Sequence, residues 1–92
     1  MNKKKLNVAR RKIDQLDEKI FYLIKKRTAI VKHMLRLKKF KNQIINYKRI
    51  NSILKKIKNK SIKSKVDQKI TYRIWKAIIW SYVDYQKRNF KK

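Results

Sequence analysis

A single run of apolar spacing constrains this chain more than any other feature in it. Leu6, Ala9, Ile13, Leu16, Ile20, Leu23, Arg27, Ile30, Met34 and Leu37 recur at alternating intervals of three and four residues. That period marks one side of a helix of coiled-coil type, sustained over about four heptads. The spacing predicts one helix over roughly residues 6–40, which at ~1.5 Å per residue is a rod of roughly 50 Å. The rest of a 92-residue chain cannot cover such a rod as one globule. The stripe therefore needs a second copy, and the expectation is an entwined dimer.

After the rod, the stretch 41–46 breaks the period and reads as a connector. A short second helix over about 47–58 carries Tyr47, Ile50, Ile53, Leu54 and Ile57 on one side. The polar, basic run 58–63 reads as a second connector. Ser64-Lys65-Val66-Asp67 has the form of a capping box and opens a third helix over about 65–90. Its inner face is expected to hold Ile70, Ile74, Trp75, Ile78, Ile79, Tyr82, Val83 and Gln86. The fold class is all-α: one domain over 1–92, with one long, one short and one medium helix per chain, in an intertwined homodimer. The absence of Gly and Pro agrees, because hairpins and tight turns depend on them.

The chain has no Cys, which excludes a disulfide framework and thiolate metal sites and fits a reducing compartment. The basic N-terminus is not followed by an apolar segment of signal-peptide type, and no apolar run approaches the ~18 residues of a membrane span. A cytoplasmic protein with no membrane partner is expected. The formal net charge is +25, and no Asp or Glu lies between Lys19 and Val66. Such a field attracts small anions and binds polyanions non-specifically. Much of it is also what compositional drift produces, since Lys, Ile and Asn all have codons rich in A and T.

The inventory narrows the chemistry. One His and five carboxylates leave little for a metal, and neither metal nor cofactor is expected. Asp14, Asp17 and Glu18 suit the N-terminal dipole of the rod. His33 lies beside the stripe, in a solvated or edge-packed role. Ser52, Ser61, Ser64 and Ser81 have no evident base and acid partners, and there is no phosphate-binding Gly loop. Fixed positive charge remains, which works on an anionic substrate by positioning and electrostatics. Arg27 breaks the stripe at a core position, where a guanidinium needs a partner. Lys38 follows three turns later on the same face, and Gln86 falls on the apolar side of the third helix. Two cations and an amide turned inward, in a chain with few acids, point to a pocket for a carboxylate.

The segment Ala9-Arg10-Arg11-Lys12-Ile13-Asp14-Gln15-Leu16-Asp17, followed by Arg27 and Lys38, resembles the first helix of the all-α chorismate mutases. Arg49 in the second helix and Ile78-Ile79 with Gln86 in the third continue the likeness, from Leu6 to about Gln86. The resemblance implies an intertwined three-helix dimer with two shared sites. It implies that Arg10 reaches the other subunit's site to hold one substrate carboxylate and that Arg27 holds the second. Lys38 and Gln86 would donate to the ether oxygen, Arg49 would order the pocket, and Asn46, Ile50 and Tyr82 would also meet the substrate. The implied reaction, chorismate to prephenate, is pericyclic and uses no nucleophile, metal or cofactor.

The chain departs from the family at two places. Mutases place Glu directly after the second-helix Arg and Asp three residues before it; here these positions are Ile50 and Asn46. An apolar residue after the Arg is similar to the isochorismate-pyruvate lyases, relatives of the same fold, so isochorismate is the alternative substrate. A third reading, of another class, is a basic helical nucleic-acid-binding protein using lysines with Trp75, Trp80 and the tyrosines. Against it, most aromatics of the third helix fall on the stripe expected to be buried.

Overall fold

The computed structural model describes residues 2–91. It contains three helices, α1 (Lys3–Leu37), α2 (Tyr47–Ser64) and α3 (Gln68–Asn89), with a 3-10 turn at Lys41–Gln43 between the first two. The protein is all-α, with no strand among the described residues. No helix there is long and apolar enough to cross a membrane. Two compact units divide the chain, one ending at Val31 and the other beginning at Lys32.

The first unit is the body of α1. Asn2 starts it: its Oδ1 accepts from Lys5 N at 3.1 Å and its carbonyl from Leu6 N at 3.1 Å. This cap places the helix start ahead of residue 6, where the apolar period begins. Asp14, Asp17 and Glu18 consequently lie well inside α1, and its first turn holds no acid. A helix dipole acts within the first turn, so the dipole role expected for these three does not apply. Ile13, Leu16, Ile20 and Leu23 all remain at least 55% exposed.

The second unit holds a small core of Leu35, Ile44 and Val83, with Ile45 and Phe90 packed against it. Here α1 stops at Leu37, short of residue 40, because Gln43 takes over the next backbone donors. Its Oε1 accepts from Lys39 N at 2.7 Å and from Phe40 N at 2.8 Å. Asn46 caps α2, accepting from Arg49 N at 3.0 Å.

The α2 helix continues to Ser64, so the run 58–63 is helix and not a connector. Its lysines form a solvated face, while Ile57 and Ser61 turn inward. Lys65 then adopts the left-handed conformation at φ 55° and ψ 39°. Val66 N donates to Ser61 O at 2.9 Å and Lys65 N to Ile62 O at 3.3 Å. These two bonds form the Schellman stop that usually employs glycine, a residue this chain lacks. Ser64 therefore ends α2, and Asp67 rather than Ser64 caps α3, accepting from Lys69 N at 2.7 Å.

α2 and α3 pack antiparallel, with Tyr47 against Trp80 at one end and Ser61 bonded to Thr71 at the other. Along α3, Ile79, Val83 and Gln86 are buried and Trp75, Ile78 and Tyr82 half-buried, as the period predicts. Ile70 and Ile74, expected inside, are 55% and 48% exposed. Ile50 is buried in α2, while Tyr47, expected on the same side, is exposed.

Candidate active site

Lys38 leaves the end of α1 as the chain turns toward α2, and Gln86 sits on the last turns of α3. The Lys38 ammonium donates to Gln86 Oε1 at 2.6 Å. Gln86 is 7% exposed, and its Nε2 donates to the carbonyl of Tyr82, one helical turn back, at 3.1 Å. The chemistry of the two partners fixes the carboxamide. An ammonium only donates and a backbone carbonyl only accepts, so the amide cannot flip without losing both bonds.

Burial lowers the pKa of Lys38 below the ordinary lysine value by desolvating its charged form. The result is a partly dehydrated cation held by an oriented dipole. Such a group stabilises negative charge developing on a small ligand more strongly than a hydrated surface lysine does.

The remaining expected site residues divide between the units. Within the second, Asn46 has its Oδ1 engaged in capping α2, and exposed Arg49 supplies the N–H that it caps. Ile50 is buried and Tyr82 half-buried. In the first unit, Arg10 is exposed and Arg27 half-buried. Lys38 and Gln86 are thus brought into direct contact, and Tyr82 joins them through its backbone. That backbone role was missed by a reading confined to side chains. The signal for it is the four-residue spacing of Tyr82 and Gln86, which puts a carbonyl within reach of a long amide on the next turn.

The sequence model of the family described as chorismate mutase type II matches residues 9–87, and so takes in every one of these positions. The chain belongs to that family. Comparison with curated proteins and with solved structures gave no match. Family membership assigns the protein to chorismate mutase-type chemistry. The Lys38–Gln86 pair lies inside the matched segment, in the unit where α2 and α3 pack together.

Proposed function

We propose that this member of the chorismate mutase family converts chorismate to prephenate in the two shared sites of a homodimer. The supporting observation is the hydrogen bond between half-buried Lys38 and buried Gln86 in a chain of this family. In the rearrangement the ether C–O bond breaks as a new C–C bond forms, and negative charge grows on the ether oxygen. The Lys38 ammonium donates to that oxygen, and Gln86 supplies the second polar contact. Arg27 and the other subunit's Arg10 each hold a substrate carboxylate through charge-assisted, bidentate bonds. Arg49 and Tyr82 order the pocket, with Asn46 and Ile50 beside the ring. No nucleophile, metal or cofactor takes part, and the rate comes from positioning and electrostatics.

The exposed stripe of α1 supports the dimer. Ile13, Leu16, Ile20, Leu23, Ile30, Met34 and Leu37 are 46–66% exposed, and an apolar surface of that length calls for a partner. A second copy offers the same stripe.

Ile50 favours a second reading, isochorismate-pyruvate lyase, because an apolar side chain behind Arg49 offers nothing to a ring hydroxyl. Assays of the purified protein on chorismate and isochorismate separately decide between the two. Prephenate formation from chorismate is the expected result, and much faster release of pyruvate from isochorismate would reverse the assignment. Light scattering at micromolar concentration should give twice the chain mass. A folded monomer would remove the shared sites.

A further inference from the structure

The outer side of the α2–α3 pair carries aromatics that the catalytic reading leaves unused. Lys69, Tyr72, Lys76 and Trp80 follow at spacings of three, four and four, which places them on one side of α3. Tyr72 is 48% and Trp80 36% exposed. The Lys76 ammonium lies 5.6 Å from the Tyr72 ring centre, and the Trp80 ring lies 6.4 Å from that of Tyr47 at 57°. Across from them, α2 presents exposed Tyr47, against Trp80, and exposed Lys58, which borders the same cleft as Lys69. Between the helices runs a cleft of about 350 Å³, floored by Leu54, Ile57 and Tyr72 and edged by Lys58 and Lys69. The acids of this unit are already engaged: Asp67 caps α3 and Asp84 is paired with Arg88 at 2.7 Å. The α2 helix contributes none.

The geometry points to a surface for single-stranded nucleic acid on this side of α2 and α3, separate from the Lys38–Gln86 site. Cation and aromatic alternate along a path of roughly 16 Å from Lys69 to Trp80. That is about five nucleotide steps at the ~3.4 Å spacing of a stacked strand. Unpaired bases stack on Trp80, Tyr47 and Tyr72 while the lysines meet phosphates, a combination that tolerates any sequence. A duplex hides its bases in the stack and uses only the lysines. An anionic membrane surface also takes aromatic rings and amines, but it needs a continuous apolar face, and here Lys69 and Lys76 interrupt the rings.

The test is fluorescence anisotropy of a labelled twelve-nucleotide oligothymidine with the full chain, at physiological salt. Trp80→Ala is expected to weaken binding on the order of tenfold, and Trp80→Phe to restore most of the loss. Lys76→Ala should weaken binding by several-fold, whereas Lys4→Ala, an equal change of charge elsewhere, should leave it within twofold. Turnover of chorismate by Trp80→Ala should match the parent, so loss of binding and loss of the enzymatic reading remain distinguishable. Three results would overturn the proposal: no binding, equal effects of Lys76→Ala and Lys4→Ala, or duplex bound as tightly as single strand with Trp80→Ala silent. Sensitivity to Trp80 only on phosphatidylserine vesicles would assign the surface to membranes instead.

Discussion

Ser61 and Thr71 share a hydroxyl–hydroxyl hydrogen bond of 2.7 Å across the α2–α3 turn. Each hydroxyl also faces a backbone carbonyl, Ser61 that of Ile57 at 2.7 Å and Thr71 that of Gln68 at 3.3 Å; the shorter contact takes the Ser61 proton, which leaves Thr71 to donate in the pair. Ser61 is 3% exposed, which makes this the buried polar pin of the helical hairpin. Ser61→Ala should destabilise the protein by about 1 kcal/mol, read by denaturant melting at fixed protein concentration. A cycle with Thr71→Val should give a coupling of similar size. Additive single changes would mean that the bond contributes nothing.

The lowered pKa of Lys38 has a kinetic signature. In the proposed mechanism catalysis needs the ammonium, so kcat/KM should fall on the alkaline side below the usual lysine range. The sign for stability is opposite to that for activity. A lysine whose folded pKa lies below its unfolded value destabilises the fold while charged, and this penalty fades as pH rises through the folded pKa. Activity should therefore decline before the fold does. Lys38→Arg should remove the alkaline limb from whatever rate survives, and a limb unchanged by that substitution would assign it to another group.

Arg27→Ala and Lys26→Ala remove equal charge one residue apart. Arg27 is half-buried, whereas Lys26 is exposed and lies 4.8 Å from the Tyr22 ring centre. Turnover should be abolished in the first variant and stay within a few-fold in the second. Similar losses in both would show a response to net charge and not to a bound carboxylate.

Ile50→Glu tests mutase against lyase. An acceptor for the ring hydroxyl is worth about 1.5–3 kcal/mol, on the order of ten- to a hundredfold in rate if formed in the transition state. Efficiency on chorismate should rise by up to that amount, with no gain on isochorismate. Because Ile50 is 8% exposed, the new carboxylate also meets desolvation, and Tm should fall. An equal response on both substrates would place position 50 in the core, out of reach of the ring.

Helix identity was legible because the 3.6-residue period survives even where Lys fills many of the solvated positions. Gln86 was legible for the same reason, as a polar residue on an apolar face, whereas Lys38 lies just past the end of α1 and reaches Gln86 from the connector. Helix ends were harder to read. In a chain without Gly or Pro, the stop after Ser64 rests on a left-handed lysine, which composition does not announce. The stop after Leu37 depends on the Gln43 side chain accepting backbone donors, a choice made by packing. Burial of Ile70 and Ile74 was not legible either, because periodicity says that a face is apolar but not what covers it.

Asn46 holds the start of α2 through its Oδ1 while standing at a position proposed to lie beside the substrate ring. Every substitution there is judged by the helix before it is judged by chemistry. A residue without a short side-chain acceptor forfeits about 1 kcal/mol of helix stability, whatever it offers a ligand. That leaves Asn, Asp, Ser and Thr as neighbours that keep the helix start, and only Asp among them adds charge. The mutational path from this sequence toward an acidic residue beside the ring hydroxyl thus narrows, at position 46, to one step that leaves the architecture intact.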